Sequence, residues 1–181
     1  VRAWREAVGP GARLLLGEVA GYDAPRHAAA GAAEFAAALP RDVACASALW
    51  AQHAYVGSPS DREGGAPLAG DPDRAGDLGL LEDVLAALDA KGCPRRHAVW
   101  ITETGVAGDE RRTVEGCREM HTALSAWARH PRVDAAFQYT VREDPAFPTG
   151  LTDPGLGRPY PVLAAWRAWA VRPGGPSAPP C

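Results

Sequence analysis

The residue of greatest chemical interest is Glu103. It follows Ala98-Val99-Trp100-Ile101, a run with the composition of a short buried strand, and precedes Thr104-Gly105, where the chain turns into a loop. An unpaired carboxylate beside a buried strand is strongly unfavourable, so Glu103 is expected to be paired, at the rim, or held for chemistry. The carboxyl end of a parallel strand is where catalytic side chains gather, which favours chemistry. Three other strand ends carry polar side chains: Gln52-His53-Ala54-Tyr55, Phe137-Gln138-Tyr139-Thr140, and Gly17-Glu18. Leu49, Ala51, His53 and Tyr55 share parity, so His53 and Tyr55 are expected on one face as hydrogen-bond donors to an ionised Glu103. Tyr139 or Gln138 offers a stacking face or hydrogen bonds to a ligand, and parity leaves both open.

The elements that position these residues alternate. A helix over residues 1–8 and a turn at Gly9-Pro10-Gly11 precede a strand at Arg13-Leu14-Leu15-Leu16, ending at Gly17-Glu18. Ala28 to Leu39 is helix-prone and is stopped by Pro40. Ala48 to His53 forms the second strand. A long loop from Gly57 to Gly76, rich in Gly, Pro and Asp, has the character of a lid or substrate wall. Asp77 is expected to cap a helix with Leu78, Leu81, Leu85 and Leu88 on one face, closed by Lys91-Gly92. After the Glu103 strand, Val114, Cys117, Met120, Leu124 and Trp127 repeat at helical spacing as far as Arg129, and Pro131 blocks continuation. Ala135 to Thr140 forms a fourth strand, its loop runs from Val141 to Pro159, and Pro161 opens a last helix with Trp166 and Trp169. Residues 1–172 then make one folded unit, and the proline-rich residues 173–181 are expected to be a disordered tail. Strand–helix alternation with every long loop after a strand predicts a parallel α/β sheet with its site at the carboxyl ends.

With 181 residues, 46% of them hydrophobic, the chain can bury one full core, and a net charge of −3 provides no basic stripe for nucleic acid. No apolar run is long enough to span a bilayer. No GxGxxG or phosphate-loop pattern occurs, and Cys45, Cys93, Cys117 and Cys181 lack metal-ligand spacing, so neither a cofactor nor a metal is expected. Cys45 and Cys93 each stand before a strand and could meet as a disulfide at the amino-terminal face, or pack as two buried thiols. Trp50 and Trp100 are expected to face helices, with Leu14, Leu16, Val99 and Ile101 on the opposite side. Asp61-Arg62-Glu63 and Asp109-Glu110-Arg111-Arg112 read as solvated loop surface.

Trp100-Ile101-Thr102-Glu103-Thr104-Gly105 resembles the nucleophile strand of clan A retaining glycoside hydrolases, the group of the cellulase-like family five and the xylosidase-like family thirty-nine. Gln52-His53-Ala54-Tyr55 resembles the His-x-Tyr end of their sixth strand. Phe137 to Asp144 with Gly150-Leu151-Thr152-Asp153 resembles the eighth strand and its loop. The resemblance implies a partial TIM (β/α)8 barrel, strands five to eight, hydrolysing O-glycosidic bonds of an oligo- or polysaccharide with Glu103 as nucleophile. Such enzymes use two carboxyl groups about 5–5.5 Å apart. The family's acid/base follows an asparagine at the end of strand four, and this sequence has no Asn. The proton donor is therefore expected upstream of residue 1, with Glu18 as the rival donor and otherwise a substrate-rim carboxylate. The same reading expects a secreted protein with any leader upstream, and an isolated chain that self-associates and lacks activity. A non-catalytic carbohydrate-binding barrel and an unrelated four-stranded α/β domain are the competing readings.

Overall fold

The structure, a computed structural model, describes residues 2–9, 13–20, 31–56, 78–171 and 174–181. The elements are α1 (Arg2–Val8), β1 (Leu16–Ala20), α2 (Ala32–Ala38), α3 (Arg41–Ala44), β2 (Leu49–His53), α4 (Leu78–Asp89) and β3 (Ala98–Thr104). A 3-10 helix (Gly108–Arg112), α5 (Val114–Arg129), β4 (Val133–Gln138) and α6 (Val162–Ala170) complete them. The expected lid at residues 57–76, the Asp77 cap, residues 28–30 and the Asp61-Arg62-Glu63 cluster lie outside the described residues.

The four strands form one all-parallel α/β sheet in the order β1-β2-β3-β4. A sequential order with right-handed crossovers delivers every connecting helix to the same face of the sheet. The core agrees. Trp50, Val99 and Ile101 from the strands pack into one cluster with Leu81, Val84, Leu85 and Leu88 of α4 and with Met120, Leu124 and Trp127 of α5. The helix α5 matches its expected limits because its signals are local. The Thr113 hydroxyl accepts from the Gly116 amide at 3.0 Å to cap one end, and the apolar stripe from Cys117 to Trp127 faces inward, with Val114 at its start left exposed.

Two expectations about side-chain direction are reversed. Val99 and Ile101 are fully buried on the helix side, whereas Trp100 packs beside Phe137, with ring centroids 5.8 Å apart, on the opposite face. Trp50 does face the helices, with its ring 6.3 Å from that of Phe35. Register explains the pattern. Leu16, Trp50 and Val99 lie across from one another, as do Gly17, Ala51 and Trp100, so each row has a single face. Leu16 therefore belongs to the helix side as well. The first strand also runs later than expected, Leu16–Ala20 instead of Arg13–Leu16. Gly17 does not end it: Gly17 sits inside it at φ +98°, where a Cβ would lie 2.5 Å from the Ala51 carbonyl oxygen.

Two disulfides fasten the periphery. Cys45 and Cys93 are bonded at the amino-terminal side of the sheet, where the Arg41 guanidinium also donates to the Lys91 and Gly92 carbonyls at 3.0 Å each. With the cysteines 48 positions apart in sequence, closing that loop is worth about 4 kcal/mol in the chain-entropy account. Cys117 of α5 is bonded to Cys181. The last residue of the proline-rich tail is thus tied to α5, and Gly175 lies so close to the Trp169 ring that a Cβ there would be 2.3 Å away. Disulfides form and persist in oxidising compartments, which is the environment these two fit. Among the described residues, no helix is long and apolar enough to cross a membrane.

Candidate active site

Glu103 is brought to the site by an irregularity. Along β2 and β3, Gln52 lies opposite Ile101 and His53 lies opposite Glu103, so Thr102 is skipped. Without that extra residue, Glu103 would share the helix-facing side of Ile101. The bulge turns it to the rim beside His53. Beyond the strands, the Ala54 amide donates to the Glu103 carbonyl and the Val56 amide to the Gly105 carbonyl, each at 2.9 Å, which carries Tyr55 over the carboxylate. A second irregularity lies in β1. Gly17 and Val19 pair with consecutive residues of β2, leaving Glu18 as the extra residue at φ +60°. Left-handed backbone at a non-glycine residue is unfavourable and concentrates at functional sites.

These two bulges assemble a polar row. The Tyr55 hydroxyl donates to Glu103 Oε2 at 2.6 Å, His53 Nδ1 lies 3.4 Å from the same oxygen, and His53 Nε2 lies 2.9 Å from Glu18 Oε1. The Glu18 side chain is 55% exposed and that of Glu103 29%, so the row opens to solvent at one end and deepens towards β3. One coordinating atom from each of Glu18, His53 and Glu103 lies within 4.8 Å of the others. All three residues, and Tyr55, were candidates in the sequence, and the structure brings them together.

The last two candidates divide. Tyr139 turns its ring to Phe147, 5.8 Å between centroids at 79°, and Tyr55 meets the same ring at 5.3 Å and 67°. Phe147, 42% exposed, therefore joins two tyrosines into an aromatic wall beside Glu103. It was not anticipated, because a lone aromatic in a Pro- and Gly-rich loop carries no periodicity. Gln138 instead holds the loop together: its Nε2 donates to the Thr149 carbonyl at 2.7 Å. Gly105 permits this, since a Cβ there would lie 2.9 Å from both Gln138 Nε2 and Thr149 Cβ.

A second polar cluster was also missed. Arg111 was expected on solvated surface, yet it is 2% exposed and its Nη2 donates to Glu143 Oε1 at 2.6 Å. Arg112 Nη2 reaches the same oxygen at 3.2 Å, and the Tyr160 hydroxyl donates to Glu143 Oε2. Both guanidiniums lie over the Tyr160 ring, 5.3 and 5.2 Å from its centroid. The Tyr160 hydrogen bond is the chief reason that the Glu143 pKa is lowered; burial opposes it and Arg111 reinforces it. Gly150 crosses directly over Glu143, where a Cβ would be 2.4 Å from its Cα. A Glu-Asp pair in a charged loop has no sequence signal for burial, because its partners lie about 30 residues earlier and 17 later. Next to this cluster a cleft of about 590 Å³ is lined by Thr140, Arg142, Glu143, Asp144, Pro145 and Pro154.

The chain matches no family model and no curated protein sequence. Its site must therefore be interpreted from its own geometry. That geometry offers an accessible carboxylate with one short phenolic hydrogen bond, a bridging imidazole, a second carboxylate and an exposed aromatic wall.

Proposed function

We propose that this chain is the nucleophile-bearing part of a retaining glycoside hydrolase, with Glu103 attacking the anomeric carbon of an oligo- or polysaccharide. The observation that carries the reading is the 2.6 Å hydrogen bond from Tyr55 to a Glu103 carboxylate that stays open to solvent at the carboxyl end of its strand. A nucleophilic carboxylate must be ionised, aimed and reachable. Tyr55 stabilises the anion through one oxygen, and the strand end aims it. The exposed Phe147 ring supported by Tyr139 offers an apolar face on which a sugar ring can stack.

Four consecutive parallel strands with their helices on one face support reading the fold as four successive units of a (β/α)8 barrel, strands five to eight. In such a barrel Trp100 and Phe137, on the face without helices, would belong to the interior. Glu103 forms the covalent bond to the sugar as the glycosidic oxygen leaves, and water then cleaves that ester. In this reading the acid/base carboxyl lies in the units preceding residue 1, and Glu18 braces His53. The two disulfides support secretion as the setting.

The test uses a panel of 2-deoxy-2-fluoro glycosides with a dinitrophenolate leaving group. That leaving group needs no proton donor, so labelling reports the nucleophile alone. One sugar of the panel is expected to add covalently to the peptide containing Glu103, with loss of the adduct in Glu103→Gln. Absence of labelling across gluco, xylo, manno and galacto donors, or labelling at another carboxylate, refutes the assignment.

A further inference from the structure

In the row of Glu18, His53 and Glu103 two carboxylates meet one imidazole: Nε2 lies 2.9 Å from Glu18 Oε1 and Nδ1 lies 3.4 Å from Glu103 Oε2. Carboxylate oxygens with an imidazole nitrogen are a donor set that suits a divalent transition metal.

We propose that Glu18, His53 and Glu103 form a binding site for a divalent transition-metal ion, with Zn²⁺ as the fitting ion. The ligand atoms come from three adjacent strand ends and lie within 4.8 Å of one another. A tetrahedral zinc with bonds of about 2.0–2.2 Å sets its ligands roughly 3.3–3.6 Å apart, so closure needs side-chain shifts on the order of 1 Å. One imidazole and two carboxylates select zinc over magnesium or calcium, which prefer oxygen throughout. Three protein ligands leave a fourth position for water, and the half-exposed Glu18 provides the route of entry. The left-handed Glu18 is what completes the set, because the bulge in β1 brings its carboxylate to His53.

This site shares Glu103 with the proposed nucleophile but does not depend on that role. If both hold, the metal competes with covalent attack and zinc inhibits hydrolysis. The experiment is calorimetric titration of the whole chain with Zn²⁺ alone, with Mg²⁺ and Ca²⁺ in parallel and without substrate. One Zn²⁺ per chain is expected, with no comparable heat from Mg²⁺ or Ca²⁺. Glu18→Gln and His53→Ala are each expected to weaken binding by at least about 100-fold, more than loss of an outer-shell partner does. Glu18→Gln changes an exposed side chain, and an unchanged melting temperature in that variant separates ligand loss from misfolding. His130→Ala controls for adventitious zinc at the His130–Glu82 pair and is expected to bind normally. No saturable binding, or binding kept in Glu18→Gln and lost in His130→Ala, overturns the site. The fluoroglycoside labelling and the zinc titration fail independently, so either result identifies which reading is wrong.

Discussion

Two glutamates stand at the same rim of the sheet in opposite circumstances. Glu143 has two guanidiniums and a phenol around it and is 9% exposed. Its charge is neutralised, its oxygens are occupied, and Gly150 brings the chain directly over it. Glu103 has no guanidinium partner among the described residues, is partly open to solvent, and has a phenol and an imidazole as neighbours. Both accept a hydrogen bond from a tyrosine, so the phenol is not what separates them. The difference is compensation. A carboxylate enclosed by arginines is a fastener, tying the 3-10 helix after β3 to the loop after β4 and to the Tyr160 turn before α6. A carboxylate left with polar but weakly charged partners keeps its negative charge available to a ligand.

Exchanging the consequences of mutation at the two sites is the sharpest way to break that contrast. In the intact protein that includes the acid/base carboxyl, Glu103→Gln is expected to reduce glycoside turnover by several orders of magnitude while moving the melting temperature by less than about 2 °C, as for an accessible residue outside the core. Glycosidase assays and thermal melts on the same preparation of that protein check both halves. Glu143→Ala is expected to show the reverse emphasis. Leaving Arg111 buried without its partner costs about 3–5 kcal/mol, which lowers the melting temperature by about 10 °C in a chain of this size. A Glu143→Ala protein that melts like wild type would show that the enclosed carboxylate fastens nothing.

Smaller effects sharpen the comparison. In that intact protein Tyr55→Phe removes a hydrogen bond to a charged acceptor, worth about 1.5–3 kcal/mol, and is expected to lower kcat about 10- to 100-fold with the fold intact. A change confined to KM would show that Tyr55 serves substrate binding instead. The smallest signal is in pH. The Glu143 pKa is lowered from its ordinary value of 4.5, first by the Tyr160 hydrogen bond and then by Arg111 against opposing burial. A depressed carboxylate contributes stability that is fully present above the ordinary value and lost as pH falls through the lowered one. Wild type is therefore expected to lose stability below about pH 5, and Glu143→Gln to lose less over that interval. Urea melts between pH 3 and 6 measure the two slopes, and parallel slopes would remove Glu143 from the acid limb.

Local signals made much of this molecule legible. The limits of α5, the alternation of strands and helices, and a carboxylate at the end of a strand follow from side-chain periodicity, capping residues and proline placement. So does the pairing of His53 with Tyr55, which needs only strand alternation. The end of the Glu103 strand is legible from its loop, but the side its carboxylate faces is not: Val99 and Ile101, of the same parity, face the helices, and only the Thr102 bulge turns Glu103 away from them.

What the tertiary structure alone decided depends on partners far along the chain. The bulges at Glu18 and Thr102 exist only relative to β2, because an extra residue is defined by the strand it fails to pair with. Burial of Arg111 required Glu143 and Tyr160 to arrive from another loop, and a charged side chain becomes stable inside only once that compensation is assembled. Cys117 and Cys181 meet only after the tail has folded back past Trp169. Periodicity specifies which side of an element is apolar; register and closure, set by contacts among distant residues, determine what that side meets.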